Sequence, residues 1–182
     1  MSRIFEQPKY QRRLTTLELM DPATLQHKGK SIAKALRAVS TKTNRPFTMM
    51  TKPGRFTIQK TVYLLKRLGY PPAARYDYNI YLNGPYSPGL AEVYYALSDD
   101  GLRSVGPATD IPPAVLDTIA NATAGTSDFL EGLTTVIDGI ATAGSPPSAL
   151  AWAKSIKPHI NEATWREVRA FLAKHPELTR RT

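Results

Sequence analysis

Tyrosine is the residue type this sequence concentrates. Eight of its nine tyrosines, Tyr63, Tyr70, Tyr76, Tyr78, Tyr81, Tyr86, Tyr94 and Tyr95, fall within 33 positions. Each offers a rigid apolar ring and one hydroxyl, a pairing suited to half-buried cores and to interfaces. Lys60, Lys66, Arg67 and Arg75 are interleaved with them. The same set can therefore stack on bases beside phosphate contacts. On the residues alone an aromatic mini-core, a protein interface and a nucleic-acid platform all stay open.

Other chemistry is sparse. His27, His159 and His175 lie far apart and none has a metal-ligand spacing. The sequence contains no HExxH, GxSxG, GxxxxGK[ST] or GxGxxG pattern. It has no cysteine, which removes disulfides, zinc fingers, iron–sulfur clusters and thiol nucleophiles. Asp99 and Asp100 precede Gly101, so they read as turn residues making local hydrogen bonds. No catalytic residue, cofactor or metal ligand is assigned, and the expectation is a protein that is not an enzyme.

Charge is distributed unevenly. Residues 1–70 hold 15 Lys/Arg against 3 Asp/Glu, whereas residues 71–182 hold 9 against 12. A basic N-terminal third implies an anionic partner such as nucleic acid or an acidic protein. Lys30, Lys34 and Arg37 fall on one face of a predicted helix. With Lys60, Lys66 and Arg67 they form the candidate nucleic-acid-binding set. No run approaches 18 apolar residues, and MSRIFEQPKYQRR lacks the apolar centre of a signal peptide. The expectation is a cytoplasmic protein without membrane contact.

The elements that must position these residues read as helices. Residues 1–20 form a basic arm with little periodicity, and residues 21–182 a single helical domain. Asp21-Pro22 starts a helix that runs to about Thr41. Gly29 weakens its middle, and Thr43 to Gly54 is a loop. Thr57 caps a helix that ends at Leu68, with Gly69 at the C′ position. Residues 75–82, RYDYNIYL, alternate as a strand does, with residues 102–105 as the candidate partner strand. Asn83-Gly84-Pro85 then turns the chain. Ser87 caps a helix that buries Leu90, Val93, Tyr94 and Leu97. Between residues 112 and 175, Pro and Gly punctuate four more helices, with a Glu162–Arg166 pair on the last. The predicted fold is mainly α, with at most a small β-hairpin built from 75–82 and 102–105.

The segment Arg55–Leu97, 43 residues long, carries a resemblance. Gln59, Lys60 and Tyr63 in QKTVYLLKRLGY, followed by Gly84-Pro85-Tyr86-Ser87-Pro88, resemble the YwgA-like proteins. More distantly they resemble the Panacea (SocA-like) domain of phage-associated proteins and antitoxins. Panacea domains usually have a branched aliphatic residue where Tyr86 stands, which places the closer similarity with the YwgA-like branch. The Panacea resemblance implies a domain that binds and neutralises a toxin, or adapts a client to a protease, without cofactor or active site.

Two functions are therefore expected as alternatives. The first is an antitoxin-like interaction module that sequesters a partner protein. Its partner-binding candidates are Tyr63, Tyr78, Tyr81, Gly84, Pro85, Tyr86, Ser87 and Pro88. The second is a DNA- or RNA-binding regulator acting through the basic third. A homodimer is compatible with either. Asn83–Pro88 is expected to act first as a structural hinge between tyrosine-rich helices.

Overall fold

Proline and glycine set the boundaries, and side-chain caps finish them. The computed structural model describes residues 22–180, with side chains from Gly29 onward. The basic arm 1–20 and the cap Asp21 lie outside the described residues. The helices before the turn are α1 (Pro22–Thr43), α2 (Lys52–Arg67) and the one-turn α3 (Pro71–Ala74). Strands β1 (Asn79–Tyr81) and β2 (Gly84–Tyr86) follow. After them come α4 (Pro88–Ser104), α5 (Pro113–Thr123), α6 (Ser127–Ala143), α7 (Pro146–Ile156) and α8 (Glu162–Lys174). The described residues are thus mainly α, as the sequence predicts.

Most boundaries are chemically explained. Ser87, Thr126, Ser145 and Asn161 each accept a hydrogen bond from the backbone N–H three residues on. Each satisfies a donor the helix cannot pair internally. At the end of α2, Gly69 takes φ 81°, its N–H donates to the Lys66 carbonyl, and Tyr70 N–H donates to that of Leu65. That pair of bonds is a Schellman motif.

Four local expectations need correction. The partner of β1 is β2, with Asn79 opposite Tyr86, Ile80 opposite Pro85 and Tyr81 opposite Gly84. Leu102–Ser104 belongs to α4 instead, and the Leu82-Asn83 turn leaves β1 an immediate neighbour to pair with. Helix α4 continues past the predicted turn because Ser98, at φ 58° and ψ 167°, kinks it, and Ser98 Oγ accepts from Gly101 N–H to restart it. Helix α2 begins a turn and a half earlier than predicted, capped by Thr51 rather than Thr57. Glu162 pairs with Lys154 of α7 at 2.5 Å, not with Arg166.

The core is one continuous cluster drawn from all the long helices. Helix α1 packs mainly on α4, and α6 sits centrally, touching α2, β2, α7 and α8. A Cβ on Gly29 would lie 2.6 Å from Val93 Cγ1. The glycine is therefore the contact that lets α1 and α4 approach, not a weak point. Eight successive residues of α2, Ile58 to Leu65, are buried. A helix buried all round needs a partner for every polar group it carries. Gln59 and Lys60 are the polar groups that make α2 unusual.

Candidate functional site

Gln59 and Lys60 point at the turn. The Gln59 side-chain amide donates to the Ser87 carbonyl at 2.9 Å, and its oxygen accepts from Ser87 N–H at 2.9 Å. A glutamine amide thus pairs with a backbone unit as another strand would. Lys60 Nζ donates to the Pro85 carbonyl at 2.7 Å, with its ammonium 5.2 Å from the centroid of Phe56. From below, Lys157 Nζ donates to the carbonyls of Tyr81 and Leu82. Two lysines, one on each side, therefore hold the backbone of the hairpin.

Their charge is answered by α6. Glu131 Oε1 lies 2.9 Å from Lys157 Nζ, an ion-pair distance although the angle is not that of a hydrogen bond. His159 Nε2 lies 3.5 Å from the same oxygen. Lys60, Lys157 and Glu131 are all buried. Burial pulls the Lys60 amine from 10.5 down to about 7; Glu131 and Asp138 oppose the fall and Lys157 adds to it. Burial also raises the carboxyl of Asp138, against the hydrogen bond from Tyr63 and the charges of Arg67 and Lys60. Thr135 Oγ1 is buried there without a hydrogen-bond partner among the described residues.

Gly84 is the position that makes this arrangement fit. It takes φ 80°, and a Cβ would stand 2.8 Å from Thr135 Oγ1 and 3.1 Å from Lys60 Nζ. Both the left-handed backbone and the close approach exclude a side chain. The residues quoted for the resemblance, Gln59, Lys60 and Gly84–Ser87, are therefore one structural unit.

Above the hairpin lies a cleft of about 510 Å³. Helix α2 supplies Lys52, Arg55, Phe56 and Lys60; the hairpin supplies Tyr81, Leu82 and Tyr86; α4 supplies Tyr94 and Tyr95. Tyr81 and Tyr86 meet edge to face, with ring centroids 5.4 Å apart. Burial, with the neighbouring Tyr94, pushes the Tyr86 hydroxyl up to about 12. The Arg55 guanidinium lies 5.9 Å from the Tyr95 ring while donating to the Met49 carbonyl at 2.8 Å. Four large apolar side chains are well exposed among the described residues, and two of them, Leu82 (87%) and Tyr95 (63%), line this cleft.

The expected site residues separate into two groups. Tyr63, Gly84, Pro85 and Ser87 are buried, the last three within the turn and its exit. Tyr63 donates to Asp138 Oδ1 at 3.2 Å and packs edge to face on Tyr78 at 5.1 Å. Tyr78 points inward to the Gln59 carbonyl, at 3.4 Å, and Pro88 is half-buried at the start of α4. Tyr81 and Tyr86 are the members that reach the cleft. Tyr95, together with Leu82, is the surface that the tyrosine cluster left unassigned.

The basic set divides as well. Lys60 is 2% exposed, so it is a buried hairpin clamp and not a surface phosphate contact. Lys66 donates to the Tyr76 carbonyl at 2.6 Å, and Arg67 to that of Arg180 at 2.9 Å, both half-buried. Lys30 and Lys34 are exposed on α1, with Arg37 half-buried. Asp99, expected to make local bonds in a turn, instead accepts from Thr48 Oγ1 and Met49 N–H, each at 2.6 Å. Against the upward pull of burial, these bonds hold its carboxyl below the usual range.

Of the buried trio, the sequence assigns neither Glu131 nor Lys157, and it places Lys60 in the nucleic-acid-binding set. Phe56, Lys60, Tyr63 and Leu64 share one helical face, a signal that Lys60 faces inward. Glu131 lies within FLEGLTTVIDGI, a largely apolar run in which Phe129, Leu130 and Leu133 are close neighbours. Lys157, before Pro158, carries no such signal.

Among the described residues, no group of three or more His, Asp or Glu is arranged to hold a metal ion. No helix among them is long and apolar enough to cross a membrane. Comparison with known protein families, with curated proteins and with solved structures finds no match.

Proposed function

We propose that the chain is a protein-interaction module that takes a partner segment in the cleft beside the β1–β2 hairpin. The observation that carries this reading is the exposure of Leu82 and Tyr95 on the walls of an aromatic cleft. Contiguous exposed apolar surface rimmed by polar groups is characteristic of docking sites. Tyrosines held by second contacts, as Tyr81 and Tyr86 are, present rigid area at low entropic cost. The class of partner follows from the Panacea resemblance: a toxin whose activity the complex blocks by occlusion or sequestration. The test is co-expression with the adjacent gene product. Relief of growth inhibition, lost in Leu82→Ser and Tyr95→Ser, supports the reading. Relief that both variants retain in full sinks the cleft as its basis.

A second reading rests on a separate observation. Lys30 and Lys34 are exposed one turn apart on α1, an arrangement suited to phosphate contacts. In that case affinity for duplex DNA falls steeply between low and moderate salt, and Lys30→Gln/Lys34→Gln flattens the slope by about two charges. A flat salt response removes this reading.

A further inference from the structure

The charges around the cleft are one-sided. Among the described residues that line it, Lys52, Arg55 and Lys60 are cationic and Glu131 is the acid. Glu131 is ion-paired with Lys157 and also favours the charged form of Lys60, which leaves Lys52 and Arg55 without an ion-pair partner among the described residues. Lys52 makes no salt bridge among the described residues and is exposed at the mouth. Arg55 spends one donor on the Met49 carbonyl. Lys60 has three donors and one hydrogen-bonded acceptor, the Pro85 carbonyl. The cations all come from one wall, α2, and descend from the mouth to the floor, while aromatic rings form the hairpin and α4 walls.

We infer that the partner segment seated in this cleft is acidic and aromatic or aliphatic: a carboxylate directed to the α2 wall, beside an apolar side chain packed on Tyr81, Tyr86 and Tyr95. This inference rests on the docking reading above and names the chemistry of its partner. Charge complementarity selects the carboxylate, since a cationic segment would meet the like charges of Lys52 and Arg55 in a partly desolvated site. The apolar neighbour follows from Leu82 and Tyr95, whose exposed surface extends beyond the floor and suits a chain lying across it. Single-stranded nucleic acid also combines negative charge with stacking. It fits less well, because Leu82 offers an aliphatic lip, not a stacking face.

The inference also gives Lys60 a role beyond its clamp. Its amine is drawn down to about 7 by burial, so a carboxylate arriving beside it restores the charged form. Glu131, Asp138 and His159 on the α6 and α7–α8 side, Lys157 beneath, Lys52 and Arg55 on α2, and the hydroxyls of Tyr81, Tyr86, Tyr94 and Tyr95 are the other titratable groups around it.

The experiment is selection of a random-peptide display library on the full chain. Peptides are retained only if Leu82→Ser or Tyr95→Ser abolishes their binding. The expected result is enrichment of Asp or Glu within two positions of an aromatic or large aliphatic residue. Affinity should then fall about tenfold or more in Lys60→Met and in Lys52→Glu, roughly one lost ion pair in each case. The Lys52 variant keeps the test meaningful if Lys60→Met fails to fold. Cleft-dependent peptides without acidic enrichment, unaffected by Lys52→Glu, overturn the inference and leave the docking reading standing. Failure to recover any peptide that depends on Leu82 or Tyr95 overturns the docking reading itself. Displacement of the selected peptides by a uridine oligomer assigns the cleft to nucleic acid and also overturns the inference.

Discussion

The two faces of α6 meet different neighbours. On one face the packing is apolar and close: a Cβ on Gly139 would sit 2.6 Å from the Trp152 ring and 3.5 Å from Ala149 Cβ. Leu133, Val136 and Ile137 are fully buried. Towards the hairpin the same helix presents Glu131 and Thr135 to two buried lysines and a glycine turn. The apolar face stabilises by burial, at about 25 cal/mol per Å² of apolar surface. The polar face gains little net energy, because desolvating two ammonium groups and a carboxylate offsets most of their attraction. What it supplies is position: the hairpin backbone is held at the carbonyls of Tyr81, Leu82 and Pro85 and at both backbone groups of Ser87. The comparison separates a scaffold from a polar frame that aims the Leu82, Tyr81 and Tyr86 side chains into the cleft.

Substitutions on the two faces should differ in size and in character. Leu133→Ala leaves a cavity on the apolar face and should cost about 2–5 kcal/mol in a urea titration. That loss should be insensitive to salt and to pH between 6 and 9. Glu131→Gln leaves Lys157 buried beside a neutral amide and should cost about 3 kcal/mol. A loss below about 1 kcal/mol would mean that the polar face is as adaptable as a surface. Gln59→Ala strips two partners from the buried Ser87 backbone and should cost about 2 kcal/mol. Its effect should also appear in the hairpin, as faster amide exchange at residues 79–86.

The smallest effect carries the clearest sign. Lys60 titrates at about 7 in the fold against 10.5 in its absence. Between those values the unfolded chain binds more protons, so stability rises with pH; below about 7 both states are protonated and the contribution is flat. Relative to Lys60→Met, the native protein should gain about 1–2 kcal/mol between pH 6.5 and 8.5. Parallel stability curves for the two proteins across that range would place the Lys60 ammonium in a better-solvated setting than the frame requires.

What was legible in the sequence follows the same division. The scaffold was readable because its signals are local. Ser87 caps the helix it precedes, Gly69 ends α2 with φ 81°, and Leu90, Val93 and Tyr94 of α4 face the core. The hinge role of Asn83–Pro88 was half-visible, since Gly84 needs a left-handed backbone but the groups crowding it lie on α2 and α6. The frame was not readable, because its contacts span 25 to 76 residues of sequence. A lysine in an amphipathic helix reads as solvated, so Lys60 passed for a surface charge until the fold placed Pro85 and Phe56 around it. The choice of β2 over residues 102–105 was likewise decided by chain proximity, as a two-residue turn closes more readily than a loop through α4. Leu82 and Tyr95 fall outside the partner-binding candidates because exposure is a property of the folded surface.

The claim that ties scaffold, frame and cleft together is that Leu82 and Tyr95 are free to bind because other residues hold the fold. The most direct measurement pairs the melting midpoint of the Leu82→Ser/Tyr95→Ser double variant with its capture of the adjacent gene product. The account predicts stability within about 0.5 kcal/mol of the native protein, as for surface substitutions, with capture lost. Undiminished capture at the same stability would contradict it.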